Sequence, residues 1–167
     1  MQMESDTAAI RVLLNVSLGE SFKLSSAAIQ YASQHFADKL NVFTSDSQLA
    51  QKRRRRFNEA FITAVEELGP AASDGCAIRV FRLHPFLDSY ATIRCSEGAE
   101  ILEIDESQAW RDLVQMIETT GGDPKSFDAL YEFLDAVHLQ DEWAYEDSMQ
   151  TWDQEAQTWL FRKPDES

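Results

Sequence analysis

Tyr90-Ala91-Thr92-Ile93-Arg94-Cys95-Ser96-Glu97-Gly98-Ala99-Glu100-Ile101-Leu102-Glu103-Ile104 is the stretch that decides the fold. Its first half alternates Tyr90, Thr92 and Arg94 with Ala91, Ile93 and Cys95, the two-residue period of a strand with one covered face. Its second half sets Ile101 and Leu102 among acids. The connection Ser96-Glu97-Gly98 is short, so the two strands are antiparallel neighbours. On the N-terminal side, residues 77–83 carry Ile78, Val80, Phe81 and Leu83 and make a third strand, and the short connection over 84–89 again favours an antiparallel neighbour. Further back, Ile10-Arg11-Val12-Leu13-Leu14-Asn15-Val16 is a β-branched, apolar run with the composition of a buried strand.

Two helices are predicted between these strands. Ser25 or Ser26 caps the first, which runs to about Leu40 with Ala28, Ile29, Ala32, Phe36 and Leu40 at helical spacing. Ser45-Asp46-Ser47-Gln48 fits a capping box for the second, which carries the stripe Phe57, Phe61, Ile62, Val65 and Leu68 and stops at Gly69-Pro70. The expected core, residues 9–104, is therefore α+β: a mostly antiparallel sheet of about four strands with two helices over one face. Residues 1–8 are expected to be a flexible N-terminus.

Residues 105–167 are expected to form an acidic α-helical extension packed on that core. Asp105-Glu106-Ser107-Gln108 reads as the cap of a helix whose stripe, Trp110, Leu113, Val114 and Ile117, stops at Gly121-Gly122. Asp123-Pro124 restarts the helix, with Asp as cap and Pro in the first turn, and Phe127, Leu130, Tyr131, Leu134 and Val137 share a face. A last helix is expected from about Asp141 to Phe161, because Tyr145, Met149, Trp152, Ala156 and Trp159 step by four and three.

Charge is divided as unevenly as structure. Of the 167 residues, 97–167 hold 19 Asp and Glu against 4 Lys and Arg, while 1–96 hold 10 against 11. Such a segment can be a solvated appendage, a surface for a basic partner or an imitation of nucleic acid. Asp141, Glu142, Glu146 and Asp147 are its densest acids. Trp143 lies off the stripe and is the better candidate for an exposed contact, and Trp152 and Trp159 are candidate partner anchors, since interface aromatics carry disproportionate energy. The run Lys52-Arg53-Arg54-Arg55-Arg56 wraps its helix and lacks interleaved aromatics. It reads as a solvated surface, or else Arg53, Arg54, Arg55 and Arg56 form a counter-surface for the acids of 141–147, within the chain or in a homo-oligomer.

Other classes find little support. No apolar run reaches the ~20 residues that span a bilayer, and the first residues lack a signal-peptide pattern. The acidic balance speaks against direct nucleic-acid binding. No cofactor motif, metal-ligand spacing or nucleophile elbow is present, and His35, His84 and His138 stand alone. Cys76 and Cys95 are either a redox pair on neighbouring strands or two buried thiols.

Residues 10–104 resemble a family of small uncharacterised proteins of bacteriophages and large DNA viruses. The shared positions are Val12-Leu13-Leu14-Asn15, Gly19, Phe22, Leu24-Ser25, Ala28 and Tyr31-Ala32. Arg56, Val65-Glu66-Glu67-Leu68-Gly69, Ala72-Ser73, the strand before Pro85 and the acid-rich strand over 100–104 complete the pattern. Ser17-Leu18-Gly19-Glu20 replaces the family's Tyr-Gly-Gly, and residues 105–167 extend beyond it. The resemblance implies an α+β core and a viral setting, in the virion or in the host cytoplasm or nucleus. The expected function is a non-catalytic protein-binding or structural component acting through its acidic helices on a basic protein partner. The alternatives are a small nucleotide-directed hydrolase with a site assembled by the fold, and a nucleic-acid mimic presenting Asp135, Asp141, Glu142, Glu146, Asp147 and Asp153.

Overall fold

A computed structural model describes residues 9–36 and 56–161. The expected α+β architecture is present, and every strand pair among these residues is antiparallel. Strand β1 (Ile10–Asn15) pairs with β2 (Ile78–Leu83), setting Ile10 opposite Leu83 and Asn15 opposite Ile78. Strand β3 (Ala91–Ser96) pairs with β4 (Ala99–Ile104) about the turn at Glu97 and Gly98, both with positive φ. The four strands thus form two ladders instead of one sheet. The short connection over 84–89 does not make β2 and β3 neighbours: Pro85–Tyr90 is a 3₁₀ turn, started by Pro85 and capped by the His84 side chain, which carries the chain away from β2.

Helix α1 (Ser26–His35) is capped by Ser25, whose hydroxyl accepts the Ala28 N–H at 3.1 Å. Helix α2 (Glu59–Leu68) is capped by Asn58, whose side chain accepts the Ala60 N–H. The capping box at Ser45 and the end of the first helix near Leu40 lie outside the described residues, as do residues 1–8. Gly69, at φ +60°, ends α2, and a Cβ there would run into the Trp152 ring.

The β1–β2 ribbon is a wall between two apolar cores. Leu13, Ile78 and Val80 face α1 and α2, joining Ala28, Ala32, Phe61, Ile62 and Val65. Ile10 and Leu83 turn the other way, into a second core with Leu87, Ala109, Leu113, Phe133 and Ala136. Burial on both faces explains why Val12, Leu13 and Leu14 form an unbroken apolar run without alternation.

The second core is built by the extension. Helix α3 (Glu106–Thr120) is capped by Asp105 and stops at Gly121 in the left-handed region, as its sequence predicts. Helix α4 (Pro124–Ser148) starts at the Asp123 cap but does not break near 138–141. The helix expected from Asp141 to Phe161 is a correction: α4 ends at Ser148, and strands β5 (Gln150–Asp153) and β6 (Thr158–Phe161) form a hairpin. The Asp153 carboxylate accepts the N–H groups of Glu155 and Ala156 in the turn, and Gln157 takes φ 53°. Trp152 and Trp159 are then direct cross-strand partners, ring centroids 5.2 Å apart and edge to face. That pairing and packing on α2 outweigh the helical spacing of the aromatics. Among the described residues no helix is long and apolar enough to cross a membrane.

Candidate functional site: the outer face of the acidic helices

The acids expected to form one surface divide into two sets. Asp147 is buried, 1 % exposed, and serves the fold. Its carboxylate accepts the Arg82 backbone N–H at 2.7 Å and the Arg82 guanidinium at 2.9 and 3.1 Å. Glu146 accepts a further Arg82 N–H at 2.7 Å. Burial pushes the Asp147 carboxyl above the usual carboxylate range, against the pull of the Arg82 donors. Burial also opposes the Arg82 charge, but the bonds to Asp147 and Glu146 outweigh it and raise that pKa.

These contacts seal a strand edge. In β2, alternate residues turn their N–H and C=O toward β1, and the others turn away. The outward-turned groups meet side chains where another strand would lie. The Gln140 carbonyl oxygen accepts the His84 N–H at 2.7 Å, and its amide donates to the Arg82 C=O at 2.9 Å. Asp147 takes the Arg82 N–H, and the Gln150 amide donates to the Val80 C=O at 2.7 Å. Arg79 donates to the Gln150 C=O, which ties the start of the hairpin to the same strand.

The aromatic candidates also pack inward. Trp143 is half-buried, stacked on His84 with centroids 5.8 Å apart and capped by the Arg82 guanidinium at 5.3 Å. Burial lowers the His84 pKa. Trp152 lies on Gly69, and the Trp159 Nε1–H donates to the Val65 C=O at 3.1 Å. Both are half-buried against the chain's own α2 and the turn after it.

Arg56 is not on a surface facing the acids of 141–147. It is 6 % exposed, its guanidinium forks onto both Glu100 oxygens at 2.6 Å, and it lies 3.3 Å from the centre of the Phe22 ring. Glu100 also accepts the Asn15 N–H at 2.8 Å. The Asn15 side chain, itself buried, donates to the carbonyls of Glu20 and Gly98 and accepts from Ser17. Burial pulls the Arg56 guanidinium below its ordinary value, opposed by Glu100. Arg53, Arg54 and Arg55 lie outside the described residues. The cysteines are both free, Cys95 exposed and Cys76 half-buried beside the Lys23 backbone, so both readings are corrected: they are not paired on neighbouring strands, and they are not two buried thiols.

What remains turned to solvent is the far side of α4. Phe127, Tyr131, Leu134 and Tyr145 are 43–65 % exposed and recur at helical spacing along about 27 Å of helix. Asp128, Asp135, Asp141 and Glu142 are exposed beside them. Helix periodicity placed Phe127, Leu130, Tyr131, Leu134 and Val137 on one face; only its margin, Leu130 and Val137, is half-buried, and the face that packs inward is the roughly opposite one, with Phe133 and Ala136. The mimic reading loses two carboxylates on geometry: Asp147 is sealed against Arg82, and Asp153 is spent on its own turn.

Elsewhere in the extension, a shallow, open depression is bordered by Glu106, Ser107, Trp110, Arg111 and Phe133. None of the groups with displaced pKa lines it. Among the described residues no three His, Cys, Asp or Glu side chains are placed to hold a metal ion. Compared with known proteins, the chain matches no family model, no curated protein and no solved structure.

Proposed function

We propose that the chain is a non-catalytic protein-binding module whose outer α4 face receives a basic, amphipathic helix of another protein. One observation carries the reading: Phe127, Tyr131, Leu134 and Tyr145 stay exposed in one helical row while equivalent apolar residues of α4 are buried. Large apolar side chains left in register on a surface mark an interaction face. Charge chooses the partner. Residues 105–148 carry 12 acids against Arg111 and Lys125, so a basic flank is attracted and an acidic one repelled. The viral setting of this reading rests on the resemblance of residues 10–104 alone.

A peptide of about five helical turns, with leucines at i, i+3, i+4 and i+7 and lysines between them, is the probe. It should bind with fluorescence anisotropy that decays with salt, roughly tenfold in affinity between about 0.05 and 0.3 M. The same leucine stripe flanked by glutamates should not bind. Tyr131→Ser with Leu134→Ser should weaken the basic peptide at least ~10-fold at constant helix content, since central apolar contacts carry ~1–2 kcal/mol each. Equal affinity of the double variant and the parent would refute the assignment.

A further inference from the structure

We propose that the outer edge of β3 is an interface between two copies of this chain, formed by antiparallel pairing of β3 with β3. The two ladders treat their edges differently. Gln140, Asp147 and Gln150 occupy the outer edge of β2. The outer edge of β3 has no strand or side chain bonded to it among the described residues.

Register identifies which groups are bare. The Asp105 N–H bonds to the Tyr90 C=O, extending the β3–β4 ladder, so Thr92, Arg94 and Ser96 turn their backbone groups toward β4. The N–H and C=O of Ile93 and Cys95 and the C=O of Ala91 therefore point out of the sheet. The Ala91 N–H is used locally, by the Asp88 C=O. Of the outward-turned residues, Cys95 is exposed, Ile93 half-buried and Ala91 packed by its methyl into the second core, and among the described residues nothing is bonded to the outward groups of Ile93 and Cys95. An unguarded edge of this kind is a template for another strand.

The edge fits itself. A two-fold axis at Ile93 sets Ile93 opposite Ile93 of the second copy, and each donates its N–H to the other's C=O. The same axis sets Cys95 opposite Ala91, so each Cys95 N–H reaches an Ala91 C=O, and the Ala91 N–H already in use is not needed. Thr92 faces Arg94, and no like charges are opposed. Arg94 is the only Asp, Glu, Lys or Arg of β3, and its charge is met by Glu103 at 2.6 Å in the same hairpin. The contact closes after two copies, as a two-fold interface must, and pairs every outward group of each edge except the Cys95 C=O, which stays with solvent. A single short strand pair is a small interface, so the dimer is weak and forms at high protein concentration. The net charge of −14 on each copy opposes it, so salt should strengthen it, the opposite of an ion-pair interface.

Amide exchange of the full chain under reducing conditions, followed by NMR across a ~100-fold concentration range, tests this residue by residue. The Ile93 and Cys95 amides should slow by roughly tenfold or more on concentration, while Thr92 and Arg94 stay protected throughout by β4. The sedimentation mass should rise toward double, further with added salt. Cys95→Pro removes one outward donor without touching the β4 ladder, and should leave a monomer of unchanged circular dichroism. Ile93 and Cys95 amides already slow in the dilute monomer would show an edge covered from within the chain. Amides fast at every concentration, or a dimer that survives Cys95→Pro, would equally overturn the proposal. The exchange measurement on the parent decides the matter even if the proline variant fails to fold.

Discussion

Arg56 and Arg82 are both arginines bonded to carboxylates, and they do different work. Arg56 sits inside the molecule, and its partner Glu100 joins the β1 end at Asn15 to β4 where no backbone ladder exists. Arg82 sits at a seam, half-exposed, and its partner Asp147 belongs to a helix that stands in for a strand. In the first region the charge is the connection, so removing one member leaves the other buried and unpaired. In the second the hydrogen-bond pattern is the connection, spread over three side chains and one strand edge. Ion pairs of similar geometry thus differ in consequence according to what water can reach when they break.

The largest effect is expected at Arg56. Arg56→Met should cost about 3–5 kcal/mol in urea unfolding, since Glu100 is left as an uncompensated buried charge. Arg56→Met combined with Glu100→Leu should recover much of that loss, to within about 2 kcal/mol of the parent, because the charge goes with its partner. A double variant no better than the single would show that the pair acts through shape alone.

At the seam the effect should be smaller and local. Gln140→Ala strips partners from the His84 N–H and the Arg82 C=O, at about 1–3 kcal/mol for a buried group left unsatisfied. The His84 amide should exchange faster while amides facing β1 keep their protection. Uniform acceleration across both ladders would mean that the seam and the ribbon unfold as one unit. Trp159→Phe keeps the ring against α2 but loses the bond to the Val65 C=O, worth about 1 kcal/mol.

The least effect sharpens the seam by pH. Burial lowers the His84 pKa, and its Nδ1 accepts the Phe86 N–H, a bond that protonation of that nitrogen removes. The folded state then binds the proton less readily than the unfolded chain. Its contribution is complete above the unfolded value of about 6.5 and is lost as pH falls through the lowered folded value. His84→Gln should flatten that part of the stability profile without changing it above neutrality. An unchanged slope below pH ~6.5 would assign the acid sensitivity elsewhere.

Strands and caps were legible where one residue type carries one physical demand. The alternation over 90–104, the run at Val12-Leu13-Leu14 and the caps at Ser25, Asp105 and Asp123 all give the elements they predict. The burial of Arg56 was not legible in its charge, because five consecutive cations read alike; the family resemblance set it apart as a shared position without a role. Its partner is distant, Glu100, 44 residues on. The hairpin was hidden by a coincidence: Trp152 and Trp159 are seven residues apart, which suits a heptad as well as a cross-strand pair. The repeated Thr-Trp at Thr151-Trp152 and Thr158-Trp159, around a polar turn, was the signal that would have favoured strands. Gln140 and Asp147 had a signal too, as polar residues on the helical face that Phe133 and Ala136 bury.

The sealing of β2 by side chains has a consequence for the order in which the protein is made. Its seal at Val80, Arg82 and His84 comes from residues 56 to 70 positions later in the chain. At synthesis rates of about 5–20 residues per second, that edge stays bare for roughly 3 to 14 s after β2 itself has been made. During that interval the nascent chain shows a strand edge that the finished molecule conceals, so factors that recognise unpaired strands meet it only while it is being translated.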